Sequence, residues 1–551
     1  MMMAATILFR RSLISMVALL LAPPSLAFSG AFRGVVTRNI LIATSNSLPS
    51  SSQPYVSSNR PSVHPFILSH RALTVIRGGD QQNLEVHHSS SSSSQLNARS
   101  SSSSIPLPES FEERKEDVEV ALRSVFAACR VTRHVQPITS SSSKSIGVIS
   151  KQDASPVTIG DFASQALALQ ILHDDFPSDM FIAEEGSDAL QKDEDLLRRV
   201  WEATNHVHEG LLDREQLLSA IDYGQGVDGS NQSTSTGLKR RVWCLDPIDG
   251  TKGFLRGRVE GGQYCVALSL IEDGEPVLSV LGCPNLPLPS TPATTTIPYG
   301  LWSNEEVEES EVEHNPSTMF STTRGCMFVA VRGCGCYEIP LHVMEENVHT
   351  AKGENDESTT NNVSSTSSWT QLHVTPNDGT SKPPSQAKFC LGVERGFSDP
   401  NGTVLKIAQT IHGPDALTTA PHNDDDHDVD DGGVQDIKNS IRMDGQGKYG
   451  LLSRGDAECF LRLPKAGYID WVWDVAPGYL ILKEAGGTMT DVHGRPIDFS
   501  EIGGLERRAK LPDYVKGILG SCGGVFHEAL VEAHAKVDQI IKCRVKDTLL
   551  W

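Results

Sequence analysis

Two carboxylates follow a short apolar segment near the middle of the chain. Residues 242–245 read Val-Trp-Cys-Leu, which predicts a strand, and residues 246–250 continue as Asp-Pro-Ile-Asp-Gly. Asp-Pro and Asp-Gly are turn dipeptides, so we expect the strand to end at Asp246. The proline fixes φ and the glycine permits a crowded backbone, which lets Asp246, the Ile248 carbonyl and Asp249 converge on one point. Such oxygen atoms suit Mg²⁺. For this short segment alone, however, a solvated turn is the commoner outcome.

Three other stretches place acidic residues at the start or end of a predicted element. Ser-Pro-Val-Thr at residues 155–158 leads to Asp161, which is predicted to be the N-cap of a helix. An apolar strand over residues 180–183 precedes Glu184. Asp474, within Trp-Asp-Val-Ala-Pro-Gly, is a second N-cap candidate. Each position alone is explained by a helix cap or a solvated loop, and only their joint occurrence indicates one site.

The composition excludes some classes of partner. The chain has 551 residues and a formal net charge of -21, which argues against a nucleic-acid or anionic-membrane surface because either would need basic patches. A small anionic ligand could still be held by a metal and a few local cations. The 11 cysteines lack the paired spacing of a zinc site, so we expect mostly reduced thiols. The acidic run at residues 424–431 does not match an EF-hand loop.

The first 109 residues are predicted to be a leader and a linker. Residues 1–27 combine two arginines, an apolar run and small residues at a cleavage spacing, which is typical of a signal peptide. Residues 28–79 contain no Asp or Glu and many Ser, Thr and Arg residues, as transit peptides do. This combination resembles the bipartite leaders of algae with secondary plastids, such as diatoms. We therefore expect a plastid protein, with a secreted protein that carries a pro-region as the alternative.

The acidic motifs together resemble the inositol monophosphatase superfamily of lithium-sensitive, magnesium-dependent phosphatases. The segments that carry the resemblance are Ser-Pro-Val-Thr-x-x-Asp from 155, Ala-Glu-Glu-x-Ser from 183, Trp-x-Leu-Asp-Pro-Ile-Asp-Gly-Thr-Lys-Gly-Phe-Leu-Arg-Gly from 243, and Trp-Asp-x-Ala-Pro-Gly from 473. Within the superfamily, residues 251–257, 283–287 and 446–449 are most similar to 3′(2′),5′-bisphosphate nucleotidases.

The resemblance implies an α+β fold, a five-layered αβαβα sandwich of two lobes. It implies Mg²⁺ ligands at Glu184, Asp246, the Ile248 carbonyl and Asp249, with Asp474 serving a further metal and the nucleotide side. Two metals would polarise the phosphate and hold the attacking water. Asp161 and the Thr251 hydroxyl resemble the pair that accepts a proton from that water.

The implied substrate is a bisphosphorylated nucleotide, 3′-phosphoadenosine 5′-phosphate, with its 5′-phosphosulfate analogue as a second candidate. The implied substrate-binding positions are Thr251, Lys448, Arg462, Asp474, Phe397 and Gly445. At positions 397 and 445, the 3′(2′),5′-bisphosphate nucleotidases that this chain resembles carry His and Ser. This chain lacks the hydrogen bonds of those two side chains, although Phe397 could stack on a base. Inositol polyphosphate 1-phosphatase or inositol monophosphatase activity is the alternative. A catalytically silent nucleotide or redox sensor is the alternative of another class.

The expected domain organisation follows the same resemblance. Folded sequence begins at residue 110, where Ser110 and Glu113 predict a capping box. The expected units are an N-terminal α+β metal-binding lobe over 110–345, a disordered insertion over 346–384, and a C-terminal α/β nucleotide-binding lobe over 385–551 with an acidic insertion at 423–433.

Overall fold

This computed structural model describes residues 105–138, 149–150, 156–208, 212–226, 240–258, 261–289, 319–351, 368–393, 402–420, 434–465, 467–500 and 509–549. All of them belong to one compact unit, Leu96–Trp551. The predicted signal and transit segments and the acidic insertion lie outside the described residues. No helix in the described ranges is both long enough and apolar enough to cross a membrane.

The described elements are a mixture of helices and strands. The helices are α1 Lys115–Val135, α2 Ile159–Asp175, α3 Asp188–Lys192, α4 Glu194–Val207, α5 Arg214–Asp222, α6 Thr251–Arg256, α7 Leu341–Ala351, α8 Thr403–His412, α9 Gly447–Ser453, α10 Ala476–Glu484 and α11 Gly524–Leu549. The strands are β1 Ile149–Ser150, β2 Pro156–Val157, β3 Met180–Ala183, β4 Arg241–Asp249, β5 Cys265–Glu272, β6 Glu275–Pro287, β7 Arg324–Val331, β8 Gly335–Pro340, β9 Thr370–Leu372, β10 Phe389–Leu391, β11 Leu417–Ala420, β12 Val434–Ile437, β13 Ile441–Arg442, β14 Cys459–Arg462, β15 Thr488–Asp491 and β16 Ile518–Ser521.

The larger sheet has the strand order β3-β4-β5-β6-β7-β8-β9. The β3–β4 pair is parallel and the other neighbours are antiparallel. Both faces of this sheet are covered by helices. Successive side chains of a strand point to opposite faces, so neighbouring residues pack against different layers. In β4, Trp243 and Leu245 pack in the core beside α1 and α2, while Val242 and Cys244 pack in the core beside α10.

The smaller sheet has the strand order β13-β10-β14-β16-β15. Its inner face packs against α10 through residues such as Phe460 and Met489. Its outer face carries α8 and α11 through Ile407, Phe526 and Leu530. The layers are therefore helices α1 and α2, the larger sheet, helices α9 and α10, the smaller sheet, and helices α8 and α11. The predicted five-layered α+β fold is confirmed.

Two boundary predictions are wrong. The expected disordered insertion over 346–384 begins within α7, and β9, near its other end, pairs with β8. Ser110 does not cap a helix. A 3₁₀ helix, Glu109–Arg114, begins after a proline, and α1 follows it without a side-chain cap. The Ser110 hydroxyl lies instead 3.3 Å from the hydroxyl of Tyr337.

Candidate active site

The turn that carries the two central carboxylates is built from a β-bulge. The prediction that the strand ends at Asp246 is wrong, because β4 continues to Asp249. Asp246 pairs with Ala267 and Asp249 pairs with Cys265, so β4 has one residue more than β5 in this interval. Pro247 has no N–H to donate to a ladder, and a bulge is where a strand tolerates that loss. The bulge places one carboxylate at each of its ends.

Buried negative charge dominates this region. Asp246 is 2% exposed, and burial raises its pKa, with further contributions from Glu184, Asp249 and Asp474. Burial likewise raises the pKa of Asp474 to about 8, although Arg462 acts in the opposite direction. Each of these carboxylates raises the pKa of another only because they lie close together. The structure thus brings together the four predicted metal-binding carboxylates, which come from β3, β4 and the segment before α10.

The donor set fits a divalent cation of the Mg²⁺ type. Burial raises the pKa of Asp249, and the nearby cations that oppose this are Lys448 and Arg462. The four carboxylates offer hard oxygen donors, which are the ligands that Mg²⁺ prefers. Among the described residues, no group of three or more His, Cys, Asp or Glu side chains is already arranged around a metal position. The fit therefore rests on donor chemistry and on the mutual repulsion of the carboxylates.

Asp161 lies inside the first turn of α2 rather than at its N-cap, so that part of the prediction is wrong. Thr158 is the N-cap, and Asp161 completes a capping box by accepting hydrogen bonds at Oδ2 from the Thr158 amide (2.8 Å) and hydroxyl (2.6 Å). The Ser164 hydroxyl, one turn later, donates to the carbonyl of Pro247 at 3.1 Å. The helix that carries Asp161 is therefore fixed to the bulge.

Glu184 follows β3, and the backbone of the next residue, Glu185, is held by a buried amide on α2. The Gln165 side chain donates to the carbonyl of Glu185 at 2.7 Å and accepts from its amide at 3.0 Å. Thr251 begins α6 directly after the bulge, and its hydroxyl donates to the Ile248 carbonyl at 3.3 Å. The predicted catalytic hydroxyl and the predicted metal-binding carbonyl are therefore in contact.

Asp474 is not a helix cap either. Helix α10 begins at Ala476, and its N-cap, Val475, makes no side-chain hydrogen bond. Asp474 accepts a hydrogen bond from Nη2 of Arg462 at 3.1 Å, and Nε of Arg462 donates to buried Asp470 at 2.5 Å. Arg462 thus holds a predicted metal ligand, Asp474, in place.

A loop before α9 packs its backbone against the bulge. Lys448 is 8% exposed, and its ammonium donates to the carbonyls of Met443 (3.2 Å) and Gly445 (2.5 Å). Gly445 has a φ of +67°, and a Cβ there would lie 2.4 Å from the Asp249 carbonyl oxygen. The absent hydroxyl at position 445 therefore has a steric reason. Phe397, the other predicted departure, lies outside the described residues.

Two residues of this loop were missed as site residues by the sequence reasoning. Asp444 forms an ion pair with Arg256 at the end of α6 (2.5 Å). Gln446 donates to the Trp473 carbonyl at 2.7 Å and accepts from the Gly478 amide at 2.9 Å. The Gln-Gly-Lys-Tyr motif at residues 446–449 could have indicated Gln446 as a site residue, because it places a neutral amide among charged residues.

Comparisons with known proteins show the family to which the chain belongs. The family model described as inositol monophosphatase family matches residues 113–516. A 3′(2′),5′-bisphosphate nucleotidase of Schizosaccharomyces pombe is 33% identical over 438 residues, covering 78% of this chain and 96% of the relative. A rice (Oryza sativa) protein of the same name is 32% identical, covering 70% of this chain and 86% of the relative. Among solved structures, an extragenic suppressor protein from Bartonella henselae is similar at 15% identity and a TM-score of 0.40, covering 76% of this chain and 98% of that chain.

Proposed function

This chain belongs to the inositol monophosphatase family, and on that basis we propose that it is a magnesium-dependent phosphatase of bisphosphorylated nucleotides. The proposed reaction is hydrolysis of 3′-phosphoadenosine 5′-phosphate to AMP and phosphate. The 5′-phosphosulfate analogue, which would give adenosine 5′-phosphosulfate, is the second proposed substrate. The substrate class is taken from the names of the relatives in fission yeast and rice.

One structural observation carries the proposal. Asp246 is buried, the carboxylates of Glu184, Asp249 and Asp474 lie half-buried near it, and burial together with their mutual repulsion raises the pKa values of Asp246, Asp249 and Asp474. Such an arrangement costs stability, so it needs a compensating function. A divalent cation at this position would remove the repulsion and would also attract a phosphate group.

The proposed mechanism uses residues whose positions are described above. The proposed Mg²⁺ ligands are Glu184, Asp246, the Ile248 carbonyl, Asp249 and Asp474. When bound there, Mg²⁺ supplies Lewis-acid stabilisation for the charge on the phosphate. Water attacks phosphorus in line with the ribose 3′ oxygen. The bond between phosphorus and the 3′ oxygen breaks, and that oxygen takes up a proton from solvent and leaves as a hydroxyl group. Asp161, held by its capping box, accepts the proton of that water together with the Thr251 hydroxyl.

The substrate side of the site is proposed to lie towards Arg462. Its guanidinium is oriented by Asp470 and Asp474, and a guanidinium held in this way suits a phosphate oxygen. Lys448 contributes positive charge next to Asp249, although its ammonium is engaged by two loop carbonyls. We therefore propose that Lys448 acts by shaping the loop as well as by its charge.

The experiment that tests this function is a comparison of substrates. Phosphate release is measured with 3′-phosphoadenosine 5′-phosphate, inositol 1,4-bisphosphate and inositol 1-phosphate, each with and without Mg²⁺ and Li⁺. The proposal expects Mg²⁺-dependent, lithium-inhibited release with a preference for the nucleotide. Preference for an inositol phosphate would contradict the substrate but leave the metal chemistry standing.

A redox-sensing role is disfavoured by the environment of the thiols. Ten of the eleven cysteines have described side chains; these ten are free thiols, and nine of them are buried. Burial raises the pKa of Cys244 to about 12 and that of Cys390 to about 12. Thiolates react with oxidants, whereas buried thiols of high pKa are inert.

A further inference from the structure

An ion pair joins α6 to the loop before α9. Nη1 of Arg256, the last residue of α6, donates to Oδ2 of Asp444 at 2.5 Å, and Asp444 is buried. Asp444 directly precedes Gly445, whose backbone lies against the Asp249 carbonyl. The pair therefore connects the C-terminal end of α6 to the loop that packs on the bulge.

The same carboxylate also covers the middle of α6. A Cβ at Gly253 would lie 2.7 Å from Oδ2 of Asp444 and 2.9 Å from its Cβ, so this side chain lies directly against the helix backbone. A Cβ at Gly250, the N-cap, would lie 3.2 Å from the Asp444 Cβ. Asp444 thus lies along α6, from the residue before Thr251 to Arg256.

Helix α6 needs such an anchor because it is short. It has six residues and no side-chain cap, and helices of this length are not stable on their own. Its apolar anchor is Phe254, which is buried with Ile248 and Tyr264. Gly253 and Arg256 are three residues apart and therefore share a different side of the helix. The apolar contacts hold one side of α6, and Asp444 holds the other.

The position of α6 sets the position of the Thr251 hydroxyl. Thr251 is the first residue of α6, and its hydroxyl donates to the Ile248 carbonyl at 3.3 Å, which is long for a bond between two oxygens. Such a long bond restrains the hydroxyl only weakly. A shift of α6 would therefore move the hydroxyl relative to the bulge and to the attacking water of the proposed mechanism.

We propose that Asp444 and Arg256 are positioning residues that hold α6, and with it the Thr251 hydroxyl, at the proposed catalytic site. This inference rests on the proposed function, because it assumes that Thr251 takes part in the proton transfer. Neither Asp444 nor Arg256 touches the substrate in this role. Loss of the ion pair should therefore lower kcat and change KM little.

The test compares the full chain with Arg256→Gln, Asp444→Asn and the double variant. Each single variant leaves one charged group without its charged partner, whereas the double variant allows a neutral hydrogen bond between two amides. At saturating Mg²⁺ with 3′-phosphoadenosine 5′-phosphate, we expect each single variant to lower kcat by about 10–100-fold, because a misplacement of about 1 Å can cost about 100-fold. The double variant should be no slower than the slower single variant, since residues in contact do not act additively.

Hydrogen exchange of residues 250–257 gives a readout that does not need activity. The Phe254 amide donates to the Gly250 carbonyl at 3.0 Å in the first turn of α6, and opening of the helix exposes this amide to exchange. Both single variants should exchange it faster than the wild type. Arg256→Lys, which keeps the charge, should restore part of both the protection and kcat.

The matched control is Arg114→Gln. Nη1 of Arg114 donates to Oε1 of Glu272 at 2.6 Å, and these side chains are 26% and 8% exposed, against 29% and 10% for Arg256 and Asp444. Glu272 lies at the end of β5 that is remote from the bulge. Arg114→Gln should lower the unfolding midpoint and leave kcat and the exchange of α6 unchanged.

Single variants that keep the wild-type kcat, whether or not their unfolding midpoint falls, would overturn the inference. A raised KM with an unchanged kcat in Arg256→Gln would also overturn it, because Arg256 would then bind substrate. A wild type that hydrolyses none of the three phosphate esters would refute the proposed function. In that case the exchange of α6 alone would decide whether the ion pair holds the helix.

Discussion

The bulge and the loop before α9 meet where neither backbone has room for a side chain. Gly445 has a φ of +67°, and a Cβ built there would lie 2.4 Å from the Asp249 carbonyl oxygen. Since Cβ contacts under 3.0 Å are essentially never seen, Gly445→Ala must move one backbone by at least 0.6 Å, the difference between 3.0 and 2.4 Å. Asp249 would move with it.

The expected cost combines two terms. The left-handed conformation costs a non-glycine residue about 1–2 kcal/mol, and overpacking a filled region costs about 1–3 kcal/mol. We therefore expect Gly445→Ala to lower the free energy of unfolding by about 2–5 kcal/mol. Gly333→Ala is the matched control, because Gly333 has a φ of +76° with nothing within 4 Å of the built Cβ. Gly333→Ala should therefore show only the cost of the left-handed conformation.

Urea denaturation of both variants measures this difference, with the slope of the transition checked for constancy. The Mg²⁺ concentration for half-maximal phosphate release is measured on the same proteins and should rise for Gly445→Ala only. If Gly445→Ala were no less stable than Gly333→Ala and needed no more Mg²⁺, the contact between the loop and the bulge would not position Asp249.

Three further predictions concern other parts of the molecule. Burial lowers the pKa of His527 to about 4 from its usual 6.5. The stability that neutral His527 contributes is therefore present above about pH 6.5 and is lost as the pH falls towards 4, with a slope of no more than about 1.4 kcal/mol per pH unit. His527→Gln should flatten the dependence of the free energy of unfolding on pH in this range. Arg454 and Glu338 form an ion pair with both side chains 4% exposed, so Arg454→Met should cost about 3–5 kcal/mol in chemical denaturation. The double variant with Glu338→Leu should recover most of that loss, and no recovery would refute the pairing. A fluorescent fusion of residues 1–110 should enter the plastid of an alga with secondary plastids, and a secreted fusion would contradict the predicted leader.

Much of the fold was predictable because its signals are local. Two apolar runs flank the Asp273-Gly274 dipeptide, which is a strong hairpin signal, and both turn residues of the β5–β6 hairpin have positive φ (+50° and +83°). The sequences of α4 and α5 are likewise amphipathic, and burying an apolar stripe requires only that some core lies beneath it. Asp474 raises the pKa of Asp246, so these two predicted carboxylates lie near each other.

The errors concern groups whose partners are distant in sequence. Asp474 was predicted to cap the helix that follows it, but it pairs with Arg462, 12 residues earlier. The strand was predicted to end at Asp246, because Asp-Pro is a local turn signal, whereas the bulge depends on the register with β5. Gln446 joins its loop to the segment that enters α10, and no local pattern shows which backbone groups will surround a buried amide.

The central claim is that buried Asp246 and the half-buried carboxylates Glu184, Asp249 and Asp474 form the Mg²⁺ site of a phosphatase. The most direct test is the thermal unfolding midpoint of the wild type and of Asp246→Asn, measured as Mg²⁺ is added without substrate. Because binding to the folded state alone raises stability, the wild-type midpoint should rise with Mg²⁺. Asp246→Asn, which relieves like-charge repulsion, should begin higher and respond much less. A wild-type midpoint that does not depend on Mg²⁺, or an Asp246→Asn curve that rises as the wild-type curve does, would contradict the account.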